Sequence, residues 1–169
     1  MNNKKEKNIT NTPLKLPKEQ VDLVMDLYAT GKINEAIDAI KALNEDYPNV
    51  PLLFNLLGAC YNQLGQFGAA AQFFESAFTI KPDYAEAYMN HGTALSESGD
   101  LELAVASFKK AIDLLPNYSE AHNKLGVTFL NLKQYDDAIE HLEWAVAYKY
   151  DYFEAHNNLG VANKNIGQV

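Results

Sequence analysis

Arginine is absent from the 169 residues: all fourteen basic side chains are Lys. The chain therefore lacks the planar, bidentate fork that dominates carboxylate and phosphate recognition, which weakens any function built on an anion clamp. Cys60 is the single cysteine, so an intramolecular disulfide is excluded. The N-terminal MNNKKEKNITNT holds Lys and Asn with no apolar stretch behind them, so neither a secretory signal nor a spanning helix is expected, and a cytoplasmic location is the default. These residues are polar and aperiodic up to Pro13, and residues 1–16 are expected to form a flexible arm.

Charge is lopsided as well as large. The 22 acids outweigh the fourteen Lys for a formal charge of -8, and residues 1–16 carry four of those Lys against Glu6 alone, leaving ten Lys against 21 acids in the remainder. A body of that sign repels phosphate backbones and anionic lipid. Nucleic acid and membrane are thus not expected as partners, and a neutral or basic protein or peptide is.

What the chain does have is a period. Pro48, Pro82 and Pro116 recur every 34 residues, as do Ala36, Ala70, Ala104 and Ala138, and Gly58, Gly92, Gly126 and Gly160. Each unit carries two segments with apolar residues at spacings of three and four, such as Leu101, Ala104, Val105, Phe108, Ala111 and Ile112. The expected fold is all-α, a stack of helical hairpins that bury their apolar faces against one another and not around one centre. The units run 17–50, 51–84, 85–118 and 119–152, with a half unit or closing helix at 153–169, and 17–169 form one repeat domain.

Local signals punctuate each unit. Gly31, Gly65, Gly99 and Gly167 sit where a left-handed residue ends the first helix, with Lys133 at this place in the fourth unit. Asp83, Asn117 and Asp151, each followed three residues later by Glu86, Glu120 and Glu154, match a capping box. The recurring glycines are expected to face Ala36, Ala70, Ala104 and Ala138 and let two helix backbones approach closely.

Chemistry-bearing constellations are missing. His122 and His156 take the aromatic place of consecutive units with no second His or Cys within helical reach, and His91 and His141 lack ligand spacing too, so no metal is expected. Cys60 reads as a small buried hydrophobe, and Gly65 and Gly68 belong to a turn with no phosphate-loop lysine. No catalytic residue and no cofactor is expected, and the chain is read as a non-enzyme.

The combination of an aromatic at Phe54 or Tyr88 with Leu57, Gly58, Tyr61, Ala70, Phe74, Ala77 and Pro82 resembles the tetratricopeptide repeat signature. The first unit is the weakest copy, with Gln20 at the aromatic place and Val24 at the glycine place. The resemblance implies a right-handed superhelical solenoid of antiparallel helix pairs, whose first helices line a concave groove for an extended peptide or a partner helix. The stretches YAEAYMNHGTAL, YSEAHNKLG and YFEAHNNLGVA are further similar to the repeats of O-linked N-acetylglucosamine transferases and of bacterial repeat-containing glycosyltransferases and sulfotransferases. That similarity implies an alternative role as the substrate-recognition part of a larger enzyme. End-to-end self-association is a third reading. The family's carboxylate-gripping variant is not matched, since Val21 and Met25 stand where its first Lys and Asn would be.

On this frame, the second, fifth, sixth, ninth, twelfth and thirteenth places of each unit share the groove face. The residues expected there to contact a peptide are Asn55, Asn62, Glu86, Asn90, Glu97, Asn123, Lys124, Asn131, Asn157 and Asn158, with Asn165 on the same side. An amide offers both a donor and an acceptor to a peptide backbone. The resemblance to O-linked N-acetylglucosamine transferases implies an asparagine ladder through the sixth place, which carries over only at Asn90 and Asn158 and is broken at Asp22, Leu56 and Lys124.

Overall fold

The computed structural model describes residues 16–167, and residues 1–15 of the arm expected at 1–16 lie outside these residues. Leu16, placed in that arm by the sequence, packs against the first hydrophobic cluster. Among the described residues there are nine helices and no strand: α1 (Lys18–Ala29), α2 (Ile33–Asp46), α3 (Pro51–Gln63), α4 (Phe67–Ile80), α5 (Ala85–Ser98), α6 (Leu101–Leu114), α7 (Ser119–Asn131), α8 (Tyr135–Tyr148) and α9 (Phe153–Ile166). The chain is an all-α repeat solenoid.

Packing is strictly local. Each helix contacts its neighbours in sequence, and beyond these α3 packs on α5, α5 on α7 and α7 on α9, while the even helices make no comparable contact with one another. Helices that approach their counterparts lie on the inside of a bend, so α3, α5, α7 and α9 line the concave wall and the even helices the outer wall. Apolar burial is divided among three clusters strung along the array, centred on Val24 to Cys60, on Ala70 with Phe74 and Ala94, and on Met89 to Ala162.

Three of the recurring glycines lie nearest a bulky side chain, and one of them, Gly126, also approaches the backbone of Ala138 as expected. A Cβ on Gly58 would stand 2.6 Å from the Phe74 ring, one on Gly92 2.8 Å from Phe108, and one on Gly126 2.6 Å from Leu142 Cγ and 3.1 Å from the Ala138 carbonyl. The large residue sixteen positions later fills the space, so each glycine and its bulky partner form a complementary pair across the hairpin. In the first unit the same places hold the intermediate pair Val24 and Ile40, both buried. Gly160 meets nothing within 4 Å.

Two local expectations are corrected. The capping boxes do not form: Tyr84, Tyr118 and Tyr152 take the N-cap positions of α5, α7 and α9, with no side-chain capping bond. The helix begins one residue later than the motif requires, and the Glu86 and Glu154 carboxylates accept from asparagines instead. The left-handed turn is present at Gly31, Gly65, Gly99 and, as expected, Lys133, with φ of 76°, 70°, 92° and 60°. Gly167, however, is right-handed at φ -71°.

Candidate functional site

Side-chain amide hydrogen bonds join α3 to α5 and α7 to α9 along the concave wall. Asn55 on α3 donates through Nδ2 to Glu86 Oε1 on α5 at 3.1 Å, while Asn90 Nδ2 on α5 donates to Asn55 Oδ1 at 3.1 Å. The same two bonds recur between α7 and α9, Asn123 Nδ2 donating to Glu154 Oε1 at 3.0 Å and Asn158 Nδ2 to Asn123 Oδ1 at 3.1 Å, with a third from Asn123 Nδ2 to the Tyr152 hydroxyl at 3.2 Å. Asn55 and Asn123 are 3% and 0% exposed. A buried amide needs its donors and acceptor matched, and each of these two is matched by the repeat that follows it.

The expected groove residues therefore separate by depth. Asn55 and Asn123 are buried within the ladder, and Asn90 and Asn158 sit half-buried above them. Glu86, Glu97, Asn131 and Asn157 are exposed, and Lys124 and Asn165 are half-buried. Asn62 is half-buried with its Oδ1 shielded and without a hydrogen-bond partner among the described residues. The ladder is interrupted between α5 and α7, where Met89, buried at 7% exposure, takes the place of Asn55 and Asn123.

Tyr84, Tyr118 and Tyr152 line the same edge and were not singled out from the sequence, although they repeat at the 34-residue interval of the prolines. Burial pushes the Tyr84 and Tyr118 phenols up to about 12, with the neighbouring Glu86 and Glu120 carboxylates adding to it. Tyr152 is raised for the same two reasons, and the Asn123 bond opposes the shift. All three therefore present O–H groups at neutral pH.

A second pairing joins the two helices of the fourth hairpin. His122 Nδ1 on α7 lies 3.2 Å from His141 Nδ1 on α8, and His122 Nε2 lies 3.0 Å from the Pro116 carbonyl. Spacing along one helix did not reveal this, because the partners are nineteen residues apart and meet only through the turn. No group of three or more potential metal ligands occurs among the described residues. Cys60 is buried, and burial pushes its thiol up to about 11, which leaves little nucleophilic thiolate. Among the described residues no helix is long and apolar enough to cross a membrane.

Solved structures share this architecture. The chain is 26% identical to a crystallised MamA protein, with 88% of this chain and 81% of that one aligned at a TM-score of 0.78. It is 23% identical to TTC0263, a thermophilic tetratricopeptide repeat protein of Thermus thermophilus, over 89% and 82% of the two chains at 0.75. To YrrB, described as a tetratricopeptide repeat protein with an unusual peptide-binding site, it is 22% identical over 82% and 71% at 0.72. The tetratricopeptide repeat sequence model matches residues 21–85 and 123–164, more than half of the chain, and a related TPR repeat model matches 92–133. Together with the hairpin stack, these matches show that the chain belongs to the tetratricopeptide repeat family.

Proposed function

We propose that this protein is a non-enzymatic interaction module that holds an extended or helical segment of a partner protein in the concave groove lined by α3, α5, α7 and α9. The observation that carries the reading is the asparagine ladder. It fixes the side chains of Asn90 and Asn158 by their Nδ2 atoms and leaves their Oδ1 atoms without a donor among the described residues. Preorganised amides of this kind match peptide N–H groups with little loss of side-chain freedom on binding. The description of YrrB as carrying a peptide-binding site supports the use of the fold for this purpose. Net charge favours a neutral or basic segment, and salt should weaken its capture.

An array of immobilised peptides probed with the full chain tests the reading. Val127 lies one turn beyond Asn123 on the inner face of α7, so Val127→Trp should obstruct the groove and abolish the hits, whereas Glu143→Gln on α8 should leave them. Hits that survive Val127→Trp, in a protein whose helical content and melting are unchanged, would place binding elsewhere.

A further inference from the structure

The inner wall repeats every 68 residues, twice the period of the fold. Asn55, Lys81, Tyr84, Glu86 and Asn90 on one side correspond to Asn123, Lys149, Tyr152, Glu154 and Asn158 on the other. The correspondence is geometric as well. The amide bonds differ by no more than 0.1 Å between the two sets, and the ammonium groups of Lys81 and Lys149 stand 5.1 and 5.0 Å over the rings of Tyr84 and Tyr152. The junction between them differs, with Met89, Leu115 and Lys124 at the places of Asn, Lys and Asn. Two like constellations thus flank an unlike one.

Each constellation presents acceptors to the groove. Asn90 and Asn158 offer Oδ1, and Glu86 and Glu154, held by Oε1, offer Oε2. The carboxylates are exposed, and neither is paired with a cation: the only salt bridge among the described residues joins Lys32 and Glu35. The nearby lysines lie over tyrosine rings instead. A charged acceptor beside a neutral one favours a donor with positive charge.

We infer that the groove holds two equivalent subsites for cationic side chains, two repeats apart, and so prefers an extended polypeptide with Lys or Arg at two matched positions. This rests on the groove reading above. Helices that pack at about 10 Å place the subsites roughly 20 Å apart. An extended chain rises about 3.3 Å per residue, so the two basic residues should be about six positions apart.

Fluorescence anisotropy of the full chain tests this with labelled Gly/Ser/Asn peptides carrying one Lys, or two Lys three, six or ten positions apart. The peptide with spacing six should bind about tenfold tighter than the single-Lys peptide, through the effective concentration of the second contact. Glu86→Gln and Glu154→Gln should each reduce it to the single-Lys level by a similar factor, with Glu143→Gln inert. Equal affinity at every spacing, or no binding of any Lys peptide, overturns the two-subsite inference. If array hits still respond to Val127→Trp in that case, the groove reading stands without it. If Val127→Trp leaves those hits intact, the groove reading fails as well.

Discussion

His141 donates a hydrogen bond from Nδ1 to Nδ1 of His122, the two nitrogens being 3.2 Å apart. The direction follows from the far side of His122, whose Nε2 lies 3.0 Å from the Pro116 carbonyl. A carbonyl can only accept, so the Nε2 proton belongs to His122, and in the neutral ring Nδ1 is left as the acceptor. In this direction the bond needs an uncharged His122, and with both rings protonated neither Nδ1 can accept and the pair is lost.

Stability should accordingly fall in mild acid. Burial holds both histidines below their ordinary value, and His122 and Lys109 lower His141 further, although Glu140 faces both rings and Asp137 faces His141. His91, which meets the Ser107 hydroxyl at 2.8 Å, is also lowered by burial. A base with a depressed folded value binds fewer protons folded than unfolded. Its contribution is therefore complete above about pH 6.5 and lost as pH drops through the folded values. Denaturant midpoints taken from pH 7.5 down to 5 should decrease. His122→Tyr, which installs the residue found at the equivalent Tyr88, should flatten that slope. An unchanged slope in the variant would show that the pair is not its source.

Glycine-to-alanine substitutions should divide by their partners. Gly92→Ala drives a methyl to 2.8 Å from a Phe108 ring that is itself fully buried, and Gly126→Ala meets backbone as well as Leu142. Overpacking of this kind costs about 1 to 3 kcal/mol, which matches or exceeds the ~1 kcal/mol that alanine returns in helix propensity, so neither variant should gain stability. Gly160→Ala meets nothing and should stabilise by about 0.5 to 1 kcal/mol. Thermal melts of the three variants check the order, and destabilisation by Gly160→Ala would contradict it.

Much of this molecule was legible because the period is carried by residues with one physical job each. Gly31, Gly65 and Gly99 mark a left-handed turn, and even Lys133 could be assigned to it by register alone. Contacts between units were harder to read. Glu86 sits three residues after Asp83 in the pattern of a cap, yet its carboxylate is bonded by Asn55, 31 positions earlier. The motif describes a local choice, and the stacking of α3 on α5 offers a competing one. Asn55 and Asn90 both fall on the inner face by helical spacing, but spacing does not say which is sealed beneath the other. His122 and His141 escaped for the same reason, since only the folded hairpin brings them together.

Lys133 adopts φ 60° where three other turns use glycine, and its turn makes the same bonds, with Gln134 N–H donating to the Phe129 carbonyl at 2.9 Å as Lys32 N–H does to Leu27. The surrounding hydrogen bonds impose a conformation that costs an L-residue about 1 to 2 kcal/mol. Lys133→Gly relieves that strain and gives back part of it as unfolded-state entropy, so a net gain of about 0.5 to 1 kcal/mol is expected in chemical denaturation. A loss on this substitution would mean that the lysine side chain stabilises the turn in its own right.

Asn123 tests whether the ladder contributes packing or polarity. Its amide is fully buried and makes three bonds, but Glu154 is exposed and Tyr152 and Asn158 are half-buried, so all three partners can turn to water when the amide is removed. The heavy penalty of a stranded buried group is then avoided. What is lost with Asn123→Ala is the net value of the bonds and the filled volume, about 1 to 3 kcal/mol. Asn123→Met copies the neighbouring junction, where Met89 fills the same place, and should recover most of the volume part. A second readout separates the polar part. The Asn123 bond lowers the Tyr152 ionisation against the effect of burial, so both substitutions should move the phenol titration, followed by ultraviolet absorbance, to higher pH. If methionine destabilises as much as alanine, the ladder's value lies in its hydrogen bonds. If neither variant shifts Tyr152, the bond between α7 and α9 is not formed in solution.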